Sequence, residues 1–341
     1  IMLKSCEIDF NNPPAKAQVI ISAGDVPLGT QGNLFGITGG EGTGKSNYVA
    51  AIVAGCICPA GADIDTLGIQ ITANGRHKAV LLYDTEQSEV QLFKNVGNLL
   101  ARAKQPDKPD ELKAFCLTGM SRKERLNAIV QSMDKFYYQY GGIQLVVIDG
   151  IADLVKSAND EAESVAVIDE LYRLAGIYNT CILCVLHFVP NGLKLRGHLG
   201  SELQRKAATI LSIEKDDEPA QSVVKALKVR DGSPLDVPLM LFAWDKEAGM
   251  HVYKGEKPRE EKEKRKEREL VNVARDIFGR QTRITYIDLC EQLQQVLDIK
   301  ERTAKSYIRF MRERDIITKD TANQSCFVIG SYNLRWNTGC P

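Results

Sequence analysis

Apolar residues in this chain fall into two patterns: short unbroken runs, and longer stretches in which they recur every third or fourth position. The runs Leu34–Thr38, Ala79–Tyr83, Ala114–Leu117, Leu145–Ile148 and Cys181–Leu186 predict strands. The periodic stretches between them predict helices ending near Cys58 and Ala103, then from Ser121 to about Tyr138 and from about Asp160 to Ile177. A strand apolar at every position has no face to offer water, so these strands are expected in a mostly parallel sheet covered by helices on both sides. Past Leu186 the pattern changes. The runs Thr209–Ile213, Val223–Val229, Leu239–Trp244 and Met250–Tyr253 follow one another without long intervening helices, which predicts antiparallel hairpins extending the sheet.

The 341 residues exceed one ordinary domain, and the pattern divides them into an α/β domain over 1–255, a charged linker over 256–269 and a small domain over 270–335. In the last, helices are predicted over Leu270–Phe278, Tyr286–Leu297 and Arg302–Arg314, followed by a hairpin of Ile316–Lys319 and Cys326–Ile329. On the third helix Ala304, Tyr307, Ile308 and Met311 form an apolar stripe, while Arg302, Lys305, Arg309 and Arg312 share the other face. Helix, helix, helix, hairpin resembles a winged helix-turn-helix with its third helix in the recognition position. DNA is the expected partner of those four cations, and a protein-docking module is the alternative.

Chemistry enters directly after the first strand. Gly39, Gly40, Glu41, Gly42, Thr43, Gly44, Lys45 and Ser46 spell G-x-x-x-x-G-K-S between a strand and a helix, the pattern of a phosphate-binding loop. Glycines let backbone N–H groups curl around phosphates, Lys45 reaches the β- and γ-phosphates, Ser46 offers its hydroxyl to Mg²⁺, and the helix dipole favours the anion. ATP and Mg²⁺ are therefore the expected cofactors. Asp149, at the end of the strand Leu145–Ile148, is placed to hold Mg²⁺ beside Ser46. Tyr83-Asp84-Thr85-Glu86 ends the first strand after the loop's helix, so Glu86 can orient or deprotonate the attacking water; an acidic helix cap is the alternative. His187 ends the next strand and is read as a sensor of the γ-phosphate. Lys228 and Arg230, two apart on a strand, share a face and could reach a neighbouring subunit's γ-phosphate; a solvated strand face is the alternative.

Composition changes this picture little. Net charge is zero, but residues 256–341 hold 18 Lys and Arg against 14 Asp and Glu, and residues 1–255 hold 26 against 30, a mild basic bias toward the smaller domain. Nine cysteines stand at irregular spacings, and Cys181 and Cys184 lie three apart in a strand, where side chains face opposite ways; buried reduced thiols are expected, not a redox or zinc pair. With no apolar run near the roughly 20 residues that span a bilayer, the expectation is a soluble, cytoplasmic bacterial protein with no membrane partner.

Taken in order, the segments GGEGTGKS, YDTE, LVVIDG, VLH with its following basic glycine loop, and KVRDG resemble the RecA-like fold, over roughly Val26 to Tyr253. Within that fold they are similar to the hexameric DnaB/RepA-type replicative helicases and their mobile-element relatives. The resemblance implies a homo-oligomer, expected as a hexamer, with Lys45 and Ser46 on phosphate and Mg²⁺, Glu86 catalytic, Asp149 on Mg²⁺, His187 sensing, and Lys228 with Arg230 acting in trans. It also implies that the 190–200 loop, with Lys194 and Arg196, grips single-stranded DNA. The chain departs from the family in carrying Lys94 near a position often held by arginine and in the C-terminal module, and the N-terminal partner domain of the chromosomal enzymes is not expected here. A plasmid or transposon ATPase is expected, with an ATP-switched recombinase or loader, or a nucleotide-controlled DNA-binding regulator, as alternatives.

Overall fold

The computed structural model describes residues 7–187, 197–216, 220–279, 281–297, 299–321 and 323–330. The chain divides into two compact units, 1–257 and 258–341. The division falls two residues past the expected 255, because the last strand of the first unit continues to Lys257, paired with Leu239.

The first unit opens on a small antiparallel sheet that the apolar pattern does not predict. It is made of β1 (Val19–Ala23), β2 (Val26–Thr30) and, after the first long strand and helix, β4 (Gln70–Ile71). The main sheet contains β3 (Leu34–Gly39), β5 (Ala79–Asp84), β6 (Leu112–Cys116), β7 (Ile143–Asp149), β8 (Cys181–His187) and β9 (Thr209–Lys215), all parallel. It continues antiparallel through β10 (Gln221–Val229), β11 (Leu239–Asp245) and β12 (Met250–Lys257), in the order β12-β11-β10-β9-β3-β8-β7-β5-β6.

Alternate residues of the parallel strands feed two separate cores. Leu145, Val147, Cys181, Leu183 and Val185 pack on one face with α1 (Lys45–Ile57) and α2 (Glu89–Arg102). Val146, Ile148, Ile182, Cys184 and Leu186 pack on the other with α3 (Arg122–Tyr140), α4 (Glu161–Ile177) and α5 (Gly197–Lys206). Each fully buried aliphatic side chain contributes roughly 1.5–3 kcal/mol, enough to offset the roughly 1–2 kcal/mol of backbone entropy each ordered residue loses. Cys181 and Cys184 thus lie in opposite cores, and burial pushes both thiols up, Cys184 to about 12.

Helix α5 corrects the C-terminal part of the expected 190–200 loop, since the helix begins at Gly197. Residues 197–206 are helical, and Leu199 and Leu203, four apart, are buried against the second core. Two apolar residues in a short polar helix leave a weak periodic signal. Among the described residues no helix is long and apolar enough to cross a membrane.

The second unit contains α6 (Arg259–Phe278), β13 (Ile284–Thr285), α7 (Tyr286–Leu297), α8 (Glu301–Glu313), β14 (Ile317–Lys319) and β15 (Cys326–Ile329), with sheet order β13-β15-β14. Leu270, Ala274, Ile277, Leu289, Leu293, Ala304, Ile308, Met311 and Phe327 make its core. The linker at 256–269, expected to become helical only towards its end, is helical from Arg259 onward and continuous with the predicted first helix. Glu, Lys and Arg lose little rotamer freedom in a helix, so a charged run of them favours helix as readily as a solvated connection.

Phe242 of β11 joins the far side of the sheet to the start of α1. Its fully buried ring lies 5.8 Å from that of Tyr48, and a Cβ on Gly44, which has φ +92°, would come within 2.8 Å of it. Phe242→Ala is expected to destabilise the first unit by about 3–5 kcal/mol. A urea midpoint equal to that of the native chain would contradict this packing.

Candidate active site

Strands covered on both faces expose side chains chiefly where they end, and four parallel strands end together here. Register pairs Gly39 of β3 with His187 of β8, Asp149 of β7 with Val185 of β8, and Asp84 of β5 with Asp149. The carboxyl ends of β3, β8, β7 and β5 therefore lie side by side, where open α/β sheets place their ligands.

The loop from Gly39 to Ser46 leaves β3 and enters α1 through Gly44 in the left-handed region, a conformation that disfavours any side chain. The buried Lys45 ammonium donates to the carbonyls of Gly39 at 3.0 Å and Gly40 at 2.6 Å, and Thr43 Oγ1 donates to the Gly40 carbonyl at 3.0 Å. Burial lowers the Lys45 pKa, and Asp149, Glu86 and Glu41 oppose that shift. Ser46 and Glu41 are exposed. The N-terminus of α1 has neither a capping side chain nor an acidic residue in its first turn. By contrast α2 and α4 are capped by Ser88 and Asp160, and Glu124 accepts from the Ser121 N–H at the start of α3. A helix end left without a protein acceptor, behind a glycine loop, suits a bound phosphate.

Opposite the loop stands a surplus of carboxylates. Asp149 is buried, and desolvation together with the neighbouring charges of Asp84 and Glu86 pushes it up to about 7, with Lys45 and His187 acting the other way. Asp84 is also buried and raised, although its Oδ1 accepts from the N–H groups of Glu86 at 3.0 Å and Gln87 at 2.8 Å. Glu86 Oε2 lies 3.2 Å from His187 Nε2, with both side chains about one-third exposed. Such a set fits a divalent cation. Among the described residues no group of three His, Cys, Asp or Glu could enclose one alone, so the cation would share its shell with phosphate oxygens, as Mg²⁺ at nucleotide sites does.

The structure brings Lys45, Glu86, Asp149 and His187 together. Lys228 and Arg230 lie elsewhere on the unit. Lys228 Nζ donates to the carbonyls of Gln204 at 2.7 Å and Arg205 at 3.1 Å, and Arg230 Nη2 to that of Lys206 at 2.8 Å, so both engage the C-terminal end of α5, where cations are favoured. The ladder between β10 and β9 is irregular between Ala226 and Lys228, and Arg230 follows the last residue of β10, so the even strand face expected for the pair is not regular there. Lys194 and Arg196 lie outside the described residues. On α8, Lys305 pairs with Glu301 at 2.6 Å, Arg309 with Glu313 at 2.9 Å, and Arg312 lies 5.9 Å from the centre of the Phe327 ring; Arg302 is exposed. Lys94 is exposed on α2.

Asp84, Thr85 and Gly150 also stand at this edge, with no role expected for them from the sequence. The local signal for Asp84 was a carboxylate two residues before Glu86, the spacing of an Asx turn.

Residues 2–191, more than half of the chain, match the model of a protein family described as AAA domain. The chain belongs to that AAA domain family. Such domains are P-loop ATPase modules found in helicase and RecA-like proteins, and they imply nucleotide binding, usually with Mg²⁺. The match takes in Lys45, Glu86, Asp149 and His187, and ends before Lys228 and Arg230. No curated protein matches the chain.

Burial of the Asp149 carboxylate in this AAA domain has a consequence for stability. Asp149 titrates near 7 when folded and near 3.9 when unfolded, so the folded state holds its proton longer and stability falls as pH rises between these values. Without nucleotide or divalent cation, Asp149→Asn is expected to melt at a higher temperature than the native protein at pH 8, with the gap narrowing toward pH 5. Thermal unfolding followed by circular dichroism tests this, and an equal or lower melting temperature at pH 8 would count against it.

Proposed function

We propose that this chain is an ATP-dependent, DNA-acting motor of the replicative-helicase type, RepA/DnaB-like, serving a plasmid or mobilizable transposon and hydrolysing ATP between subunits of a ring, expected as a hexamer. The observation that carries the ATPase half of this reading is the placement of Glu86 and His187, 3.2 Å apart, beside Asp149 and opposite the Lys45 loop. A γ-phosphate held by the loop would face a water that Glu86 can orient and deprotonate. The water oxygen attacks phosphorus, the bond to the β–γ bridging oxygen breaks, ADP departs, and the proton passes to Glu86. Lys45 stabilises charge on the phosphoryl oxygens, and Mg²⁺, held through Ser46 and Asp149, would neutralise more of it. His187 receives the state of Glu86 through their contact and is joined directly to the 188–196 segment, which contains the proposed single-strand contacts Lys194 and Arg196. Lys228 and Arg230 complete a neighbour's site in this reading, which requires each to exchange a carbonyl of α5 for phosphate.

The second unit is proposed to be a winged helix-turn-helix that adds duplex DNA contacts. Its order of helices and the β14–β15 hairpin support this, with α8 carrying four cations against two carboxylates. The ion pairs of Lys305 and Arg309 temper that face, so Arg302 and Arg312 are the stronger candidates for phosphate.

ATP turnover should rise with single-stranded DNA. Glu86→Gln is expected to lower it by roughly two to four orders of magnitude, and Arg230→Ala to lower it only in the assembled protein. Turnover indifferent to both changes would refute the mechanism. Unwinding of a forked duplex separates a helicase from an ATP-switched loader. Deleting residues 258–341 should weaken duplex binding at fixed salt and reduce its salt dependence; unchanged affinity would remove DNA from the role of the second unit.

A further inference from the structure

Glu86 stands on a turn, not within a strand, yet a carboxylate that orients water needs its place fixed to a fraction of an ångström. Thr85, next to Glu86 and unused by the proposed chemistry, is a buried polar residue, 2% exposed. Its Oγ1 lies 3.0 Å from the carbonyl oxygen of Asp149 and 2.8 Å from that of Gly150, and its own N–H donates to the Asp149 carbonyl at 3.1 Å. One residue therefore ties the end of β5 to the end of β7, between the two carboxylates that flank it in sequence and space.

Gly150 forms the other side of this tie. It has φ +98°, and a Cβ there would collide with Thr85 Oγ1 and come within 2.6 Å of Glu86 Cγ. The Glu86 methylene thus lies against a bare backbone, which limits where its carboxylate can swing. Asp84 Oδ1, accepting from the Glu86 N–H at 3.0 Å, fixes the turn from the third direction.

We propose that Thr85 is a positioning residue for hydrolysis, its hydroxyl clamping the backbone of Asp149 and Gly150 so that Glu86 is held at a set place relative to Asp149. The proposal rests on the reading of Glu86 as the carboxylate that activates water. A valine keeps the shape of Thr85 and removes the donor, whereas a serine keeps the donor and removes only a methyl group.

The test measures steady-state ATP turnover, affinity for a fluorescent ATP analogue and thermal unfolding of the full chain. Thr85→Val is expected to lower kcat on the order of a hundredfold, with KM and analogue affinity unchanged, and Thr85→Ser to restore most of kcat. In a Glu86→Gln background, Thr85→Val should lower turnover no further, because the group it positions is already gone. Native kcat in Thr85→Val beside an inactive Glu86→Gln overturns the role of Thr85, as does a full additive loss in the double variant or failure of serine to rescue. Native turnover in Glu86→Gln overturns instead the reading of Glu86. If Thr85→Val does not fold, Thr85→Cys, whose thiol is a weak donor, is expected to give an intermediate kcat with unchanged KM, and a native kcat there overturns the clamp.

Discussion

A strand buried on both faces can do chemistry only where it stops. Every main feature of the first unit follows from that constraint. The five central runs are apolar at nearly every position because two layers of helices cover them, and alternate residues are committed to separate cores. Gly39, Asp84, Asp149 and His187 are the positions at which four such strands escape the helices on the same edge. The cores fix the strand ends, the strand ends fix the turns, and the turns fix the reacting groups.

At that edge the balance of charge is deliberately unequal only on one reading: that a highly charged ligand completes it. Lys45 is buried among carbonyls and carboxylates, and Asp149 and Asp84 sit in register on adjacent strands, both raised chiefly by burial, with Asp84 and Glu86 adding to the rise of Asp149. Left to themselves, two buried acids in that arrangement favour protonation. A polyphosphate with its divalent cation, as this AAA domain implies, would bring positive charge to the acids and an anion to the uncapped start of α1.

Much of this was legible in the sequence because its signals are local. The phosphate loop is eight consecutive residues, the strands are continuous runs, and Glu86, Asp149 and His187 each follow their strand directly. What escaped depends on residues far apart in the chain. The strands β1, β2 and β4 are short, and β4, two residues long, takes its identity from pairing with β1 across about fifty residues. Helix α5 has two apolar anchors, too few to declare a period. Thr85 reads as an ordinary turn residue until Gly150, sixty-five positions later, is brought against it. Lys228 and Arg230 looked available for a partner because nothing nearby in sequence shows that the end of α5 already occupies them.

That last contact ties together parts of the chain that would otherwise act separately. Helix α5 is held at its C-terminal end by Lys228 and Arg230, and its first residue is joined to His187 by the nine residues 188–196. A phosphate that draws Arg230 away must compete with the Lys206 carbonyl, so capture of the cation and release of the helix are one exchange. By reciprocity, anything that steadies α5 withholds the cation to the same degree. In the proposed assembly, where Arg230 would serve a neighbour's site, the helix and that site would compete for one cation, and alternation between subunits would need no additional device.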